Sequence, residues 1–200
     1  MKICLTGGIA CGKSLLSSFL NELGVETIDA DDVAHEIIPD PEERRRIAAE
    51  VFADPAKRRE LEARLHPQIK AKIDEFLAGR DGRDRRDKRD GCQSRLSCSS
   101  CSSRLRLAII PLLFETHWDS EYDIICCVAS TRENQISRMM TTRGYSRNEA
   151  EGRLAAQLPV AEKAARSHYV IDNNGTPEEL KEKAKRFVEW LKNSMYSPGR

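Results

Sequence analysis

The chain has 200 residues, 40% of them hydrophobic, and a formal net charge of +1. This length suits one α/β core, and the near-neutral charge gives no reason to expect nucleic acid or a membrane surface as a partner. No apolar run approaches the roughly 18 residues that span a bilayer, so we expect a cytoplasmic protein whose seven cysteines are reduced thiols.

A glycine-rich stretch near the N-terminus fits the phosphate-binding pattern G-x-x-x-x-G-K-[ST]; it reads Gly7-Gly8-Ile9-Ala10-Cys11-Gly12-Lys13-Ser14. Residues 2–6 predict a short buried strand, and apolar residues from Leu15 onward recur at helical spacing as far as Gly24. This strand, loop and helix are the context that the motif requires, which makes a chance match the weaker interpretation. We therefore predict that Gly8 through Leu15 bind a nucleotide, that Lys13 reaches its β- and γ-phosphates, and that Ser14 ligates Mg²⁺.

Acidic residues follow the second predicted strand, residues 25–28, and include Asp29, Asp31 and Asp32. In an open α/β sheet, residues at the carboxyl end of a strand face the ligand crevice. A carboxylate there could accept the proton of an attacking hydroxyl or hold a metal ion. The alternative is a solvated turn with an aspartate helix cap. Behind a P-loop, the functional interpretation is favoured.

Residues 33–78 are predicted to be helical, with helices that start at Pro41 and Pro55. The segment around His66 interrupts this pattern, and Pro67 is expected to open a separate helix that ends at Leu77. By itself, His66 is more typical of a capping or core histidine than of a functional one.

Residues 79–104 are nearly all charged and then rich in Ser and Cys, which predicts a disordered or mobile insert. The pair Cys98-x-x-Cys101, with Cys92 nearby, raises the question of zinc. A second pair at suitable spacing is missing, so compositional accident is the favoured explanation.

The remaining chain predicts strands at residues 105–110, 122–128 and 168–171, and a long C-terminal helix after Thr176-Pro177. Two capping boxes, Ser130-x-x-Glu133 and Ser146-x-x-Glu149, predict helices at 131–142 and 147–157. These two helices carry five arginines: Arg132, Arg138, Arg143, Arg147 and Arg153. A solvated face is one interpretation; a lid that brings positive charge to a transferring phosphate is the other.

Together with these motifs, several further pieces resemble the dephospho-coenzyme A kinase family. They agree with the family in order and rough spacing over most of the chain except residues 36–54 and 79–104. Besides the P-loop, the pieces are Ile28-Asp29-Ala30-Asp31, Leu65-His66-Pro67-Gln68-Ile69, Pro111-Leu112-Leu113-Phe114-Glu115, Gln135-x-x-Arg138, Arg143, Arg153-x-x-x-Gln157 and Val170-Ile171-Asp172-Asn173-x-Gly175.

The resemblance implies a fold of the α/β class: a P-loop NTPase-type parallel sheet flanked by helices, with a helical substrate domain and a lid as insertions. The core is then expected at about residues 1–35, 104–131 and 158–200, the substrate-binding insertion at 36–103 and the lid at 132–157. The resemblance also implies ATP-dependent phosphorylation of the ribose 3′-hydroxyl of dephospho-CoA, the last step of coenzyme A synthesis. We expect ATP and Mg²⁺ as cofactors and a monomer or weak homo-oligomer.

Residue roles follow from the same resemblance. Asp31 is expected to accept the 3′-hydroxyl proton, and Arg138 and Arg143 to close from the lid and neutralise the moving phosphoryl group. Substrate contacts are expected from Asp29, Asp31, His66, Leu112 and Glu115, and nucleotide contacts from Asn173 and Gly175 in addition to the loop.

This chain departs from the family at Ala10-Cys11, where such enzymes usually have Gly-Ser, at Leu15, often Thr, and at Ala129, commonly Asp. The Cys11 thiol lies at a helix N-terminus, where the thiolate is favoured.

Four alternative functions would use parts of this sequence. Another P-loop small-molecule kinase, or a nucleotide-binding protein with impaired activity, would share these motifs. A GTPase-like switch would need an N-K-x-D guanine motif, which the sequence does not contain. A nucleic-acid module built on residues 80–106 would have aspartates that offset its arginines and no interleaved aromatic residue.

Overall fold

The computed structural model describes residues 1–79 and 105–196. The predicted insert, apart from residue 79, and its Cys98-x-x-Cys101 pair lie outside these residues. Five strands and eight helices follow in chain order: β1 (Ile3–Gly7), α1 (Lys13–Glu22), β2 (Glu26–Asp29), α2 (Ala30–Ile37), α3 (Pro41–Ala53), α4 (Pro55–Leu77), β3 (Arg106–Ile109), β4 (Ile124–Ala129), α5 (Arg132–Arg143), α6 (Arg147–Ala155), α7 (Val160–Ala165), β5 (Tyr169–Asp172) and α8 (Pro177–Tyr196).

The strands form one parallel sheet in the order β2-β3-β1-β4-β5. The P-loop strand β1 is central, with Leu5 opposite Ile109 of β3 and opposite Cys126 of β4. β1, β3 and β4 are mostly apolar and buried along almost their whole length, as is typical of strands that are covered on both faces. The carboxyl end of β1 therefore leads into the P-loop between two neighbouring strands.

The described residues fall into two compact units, one of residues 1–27 with 105–196 and one of residues 28–79. In the first unit, α1 packs against α8, and α7 packs against β1 and β4. Leu16 and Leu20 of α1 and Phe187 and Leu191 of α8 are fully buried in its core. The helical spacing of these residues is the reason that α1 and α8 present one apolar face each.

In the second unit, α4 packs against both α2 and α3. Ile69, Ile73 and Phe76 recur at helical spacing on α4 and are buried. As predicted, α3 and α4 begin at Pro41 and Pro55, each preceded by an aspartate that accepts a hydrogen bond from the first turn.

The structure corrects the prediction that the helix breaks at Pro67, because α4 runs from Pro55 to Leu77 with Pro67 inside it. An internal proline costs a helix about 3 kcal/mol through its missing N–H and its clash with the preceding turn. Burial of the apolar stripe that follows Pro67 offsets this cost, since each large apolar side chain contributes about 1.5–3 kcal/mol.

One of the two predicted capping boxes is confirmed and the other is wrong. Ser146 and Glu149 cap α6 reciprocally. At α5 the cap is Thr131, whose side chain accepts from Asn134 N, while Ser130 Oγ donates to Asn173 O and Asn174 Oδ1 instead. Within residues 1–79 and 105–196, no helix is long and apolar enough to cross a membrane.

Candidate active site

The loop after β1 adopts a tight curl that depends on two glycines. Gly7 has a φ of 148°, and a Cβ there would lie 2.5 Å from Val128 O of the neighbouring strand. Gly12 has a φ of 91°, in the left-handed region that favours glycine. Ala10 also lies there, with a φ of 57°, although it carries a Cβ.

The start of α1 is suited to an anion. Gly12 is the N-cap and provides no side-chain acceptor, and the first turn contains no acidic residue. The first backbone N–H groups of the helix therefore need another acceptor, and phosphate oxygens suit them. Lys13 Nζ lies over the loop, where it donates to Gly7 O at 3.0 Å and to Gly8 O at 2.9 Å. Ser14 and Leu15 are exposed beside it. This arrangement fits the polyphosphate of a nucleotide.

Four side chains from later elements hold the loop backbone in place. Ile9 is bonded on both sides: its N donates to Gln157 Oε1 at 3.0 Å and its O accepts from Gln135 Nε2 at 2.6 Å. Asn173 Nδ2 donates to Cys11 O at 2.8 Å, and Arg138 Nη1 donates to Ala10 O at 3.3 Å. The loop is therefore fixed by its surroundings as well as by its own glycines.

The two predicted lid arginines differ in their surroundings. Arg138 is half-buried and also donates from Nη2 to Asn173 O at 2.8 Å, so the structure brings together Arg138, Asn173 and the P-loop. Arg143 is exposed in the last turn of α5, and no partner is found for it in the described part of the chain. Gly175 is exposed in the turn before α8.

The predicted acid–base residues belong to the second unit. Asp29 is the N-cap of α2, and its Oδ1 accepts from Asp31 N at 2.9 Å. The Asp31 side chain is exposed, and His66 is half-buried within α4. Contacts between these three residues and the P-loop remain predictions.

Of the two predicted substrate residues after β3, Leu112 is exposed and Glu115 is mostly buried. Glu115 Oε1 lies 2.7 Å from Lys163 Nζ and accepts from Leu158 N at 3.0 Å. Glu115 Oε2 is buried with no hydrogen-bond partner among the described residues.

Sequence reasoning did not assign functions to Gln135, Gln157 and Lys163. The signal for the two glutamines was present, because both stand in motif pieces shared with the family. Lys163 gave no signal, since a lysine in a charged helical stretch usually faces solvent, whereas here its side chain is fully buried.

The expected Cys11 thiolate is not supported. Burial raises the pKa of the Cys11 thiol, and the nearby Lys13 lowers it by less. Burial likewise raises the pKa of Cys127, to about 12. The cost of burying a charge exceeds the attraction of the helix N-terminus, so Cys11 is a neutral packing residue.

A cavity of about 620 Å³ opens beside the loop and is lined by Gly8, Gln135, Gln157, Leu158 and Val160, among others. Its size falls in the range of small-molecule sites, roughly 300–1,000 Å³. In the described ranges, no cluster of three or more His, Cys, Asp or Glu residues could hold a metal ion.

Comparison with known proteins identifies a family. The sequence model of the dephospho-CoA kinase family matches residues 1–43 and 92–179. The chain belongs to this family. The family match leaves out residues 44–91, which include α4 and most of α3.

Two dephospho-CoA kinases illustrate the relationship. The one from Geobacter sulfurreducens is 38% identical over 198 residues, which cover 92% of this chain and 98% of the relative. The one from a Synechococcus strain is 35% identical over 203 residues, which cover 89% and 87%.

Solved structures agree in fold. TT1252 from Thermus thermophilus superimposes with a TM-score of 0.75 at 28% identity. The match covers 96% of this chain and 97% of the TT1252 chain. The dephospho-CoA kinase from Campylobacter jejuni gives 0.64 at 23% identity, with coverage of 97% and 99%. Shikimate kinase from Acinetobacter baumannii has a TM-score of 0.57 at 14% identity, and the match covers 98% of this chain and 95% of the shikimate kinase chain. At this identity the match shows the fold alone. The predicted resemblance and the P-loop kinase fold are confirmed.

Proposed function

We propose that this kinase transfers the γ-phosphoryl group of ATP to the ribose 3′-hydroxyl of dephospho-CoA. Family membership supports the last step of coenzyme A biosynthesis as its function. The observation that carries the proposal is the phosphate site at the start of α1, in a chain that covers 98% of a relative named dephospho-CoA kinase.

The P-loop residues bind and orient the nucleotide. ATP supplies the phosphoryl group, and Mg²⁺ supplies charge that binds its phosphates. Residues Gly8 to Ser14 would surround the phosphates with the N–H groups of the loop and of the first turn of α1, while the Ile9 N–H stays on Gln157 Oε1, and the Ser14 hydroxyl would hold the metal. Lys13 Nζ exchanges its two carbonyl acceptors for phosphate oxygens, because charged acceptors form the stronger hydrogen bonds.

Asp31 accepts the 3′-hydroxyl proton, and Asp29 orients it. The exposed carboxylate of Asp31 suits this role, since a general base must be reachable by the substrate. Arg143 supplies charge from the lid. Arg138 both fixes the loop and faces the nucleotide. We keep His66 and Leu112 as substrate-side residues, and Asn173 and Gly175 as nucleotide-side residues. For Glu115, whose Oε1 contacts Lys163 Nζ and Leu158 N, these bonds favour a positioning role over the substrate contact that the resemblance implies.

The domain boundaries predicted from the sequence belong to the same proposal: core at 1–35, 104–131 and 158–200, substrate insertion at 36–103, lid at 132–157. We also propose a cytoplasmic monomer or weak homo-oligomer that acts on small molecules. The four described cysteines support the location, because Cys4, Cys11, Cys126 and Cys127 are all free thiols, as is usual in a reducing compartment.

A coupled assay of ADP release tests the function. The purified chain is offered dephospho-CoA, adenosine, AMP and phosphopantetheine in parallel, with Mg²⁺ and ATP. We expect turnover with dephospho-CoA at least about tenfold above the others, since a site that hydrogen-bonds its substrate rejects analogues that lack the matching groups. Equal or higher turnover with AMP would contradict the proposal. A Lys13→Ala preparation measures the background from contaminating kinases.

A further inference from the structure

A buried ion pair involves α7, the helix that contributes Val160 to the cavity lining. The side chain of Lys163, on α7, is fully buried, and its Nζ lies 2.7 Å from Glu115 Oε1. The same Nζ donates to Pro111 O at 2.9 Å. Glu115 follows β3 in sequence, so the pair joins the segment after β3 to α7.

The same carboxylate also binds the end of the predicted lid. Glu115 Oε1 accepts from the backbone N–H of Leu158, the residue that directly follows lid residues 132–157. At the other end of the lid, Thr131 N donates to Asn174 Oδ1 at 2.7 Å. Both ends of the lid are thus held through a backbone N–H that a side-chain oxygen accepts.

The two ends differ in what holds the acceptor. Asn174 Oδ1 is neutral and also accepts from Ser130 and Asn134, and the Asn174 amide donates to Asp172, an exposed carboxylate that pairs with Lys183. Glu115 is a carboxylate that is only 24% exposed, and the fully buried Lys163 balances its charge. At the Leu158 end the acceptor itself is therefore charged and belongs to a largely buried pair.

The Leu158 end also contacts the P-loop, as the first turn of α5 does through Gln135. Gln157, directly before Leu158, accepts from Ile9 N with its Oε1. A shift of Leu158 would therefore move the partner of a P-loop amide. Buried ion pairs are often no more stabilising than apolar residues of the same volume, so stability alone does not account for this one.

We propose that Glu115 and Lys163 are positioning residues: the pair fixes Leu158 and thereby holds Gln157 against the Ile9 amide of the phosphate site. Lys163 keeps the Glu115 carboxylate charged and fixes its orientation. The carboxylate in turn accepts the hydrogen bond from the Leu158 N–H. The kinetic part of this inference rests on the proposed function; the hydrogen-exchange part does not.

Two double variants test the proposal, and both have the same net charge as the wild type. Lys163→Met combined with Glu115→Gln removes both charges but keeps an oxygen for Leu158 N–H. Lys163→Met combined with Glu115→Leu removes both charges and the acceptor. We expect the glutamine variant to keep kcat within about threefold, and the leucine variant to lose about 10- to 100-fold, the cost of a slightly misplaced reactive group. The KM values for ATP and dephospho-CoA should stay within about threefold in both. Equal kcat in the two variants would overturn the proposal, as would a raised KM for dephospho-CoA at unchanged kcat, which would indicate direct substrate contact.

Hydrogen exchange at single amides provides a readout without activity. The Leu158 amide should exchange slowly in the wild type and the glutamine variant, and about 10- to 100-fold faster in the leucine variant, while Thr131 stays unchanged. Unchanged exchange at Leu158 would refute the anchor even if no kinase activity is found. If the leucine variant does not fold, Glu115→Asp takes its place, because it keeps the charge but shortens the reach. Wild-type exchange and kcat in Glu115→Asp would then refute the proposal.

Discussion

The P-loop and the segment after β2 carry the two halves of the proposed chemistry, and they are held in different ways. The P-loop backbone is bonded by Gln135, Gln157, Arg138 and Asn173, all from elements more than a hundred residues later. At Asp31 the backbone N–H is capped by Asp29, and the side chain is exposed.

This difference follows from what each group has to do. Phosphate is bound by backbone N–H groups, whose directions must be set before the ligand arrives if they are to stabilise charge in the transition state. A general base works through its side chain, which has to reach a substrate hydroxyl. The residues around the P-loop therefore restrict a backbone, whereas Asp29 leaves the Asp31 carboxylate accessible.

A large effect is expected at the P-loop. Lys13→Ala should lower kcat by about a thousandfold, because it removes a charge directed at the phosphates, while the thermal midpoint changes little. Steady-state kinetics and thermal unfolding measure the two. Lys181→Ala is a matched control, since Lys181 is an exposed lysine paired with Glu22. Near-wild-type turnover of Lys13→Ala with ATP bound would refute the P-loop assignment.

At the other site, Asp31→Asn should lower kcat by about 10²- to 10⁴-fold and change ATP affinity little, because the amide keeps the shape but cannot accept a proton. Asp32→Asn, next to it in the same helix turn, should be mild. Single-turnover assays at several Mg²⁺ concentrations separate the roles: rescue by more Mg²⁺ or by Mn²⁺ would indicate a metal ligand instead. A kcat within about threefold of wild type would rule out the base, since that is under 1 kcal/mol of barrier.

The sequence predicted well what short stretches determine. The P-loop with its strand and helix, the starts of α3 and α4 at prolines, and the Ser146 capping box all depend on residues within a few positions of each other. These local rules hold because the interacting groups are neighbours in the chain.

The wrong predictions concern local structures that depend on residues far apart in the sequence. Ser130 was predicted to cap α5, but its hydroxyl bonds to Asn173 and Asn174, 43 and 44 residues away. Pro67 was predicted to break a helix that packing against α2 and α3 keeps intact. The burial of Lys163 depends on Glu115, 48 residues before it, and single-residue patterns carry no sign of such a partner.

A smaller effect concerns how the free energy of unfolding depends on pH, which the buried thiols of only one of the two units are expected to influence. The P-loop unit contains the buried thiols of Cys4, Cys11, Cys126 and Cys127, and residues 28–79 contain no cysteine. Burial raises the pKa of each of these thiols above the ordinary value of 9.0, for Cys127 to about 12. Above pH 9 the unfolded chain loses these protons and the folded chain keeps them, so the free energy of unfolding falls as pH rises. For Cys127 this loss amounts to about 1.4 kcal/mol by pH 10.

Urea unfolding at pH 8, 9 and 10 with a reducing agent measures this slope. Cys127→Val should reduce the alkaline loss by the share of one thiol while leaving stability at pH 8 within about 1.5 kcal/mol, as for other volume-conserving core changes. The same alkaline loss in Cys127→Val as in the wild type would show that lysine or tyrosine titration, and not the thiols, sets the slope.

The smallest effect concerns backbone strain within the P-loop. Ala10 has a φ of 57°, where a Cβ costs roughly 1–2 kcal/mol. Ala10→Gly removes this strain, but glycine has more freedom in the unfolded chain, which takes back about 0.4–1 kcal/mol. Part of the remainder is lost with the half-buried methyl group, which packs beside Ile136 and Met139. We therefore expect a net gain in unfolding free energy of about 0.5 kcal/mol, measured by urea unfolding.

Ala71→Gly is the matched control: Ala71 is exposed in the middle of α4, where glycine should cost about 1 kcal/mol. Opposite signs would confirm that the strain is confined to the loop. A loss at Ala10 as large as at Ala71 would show that the neighbours of the P-loop already hold it without strain.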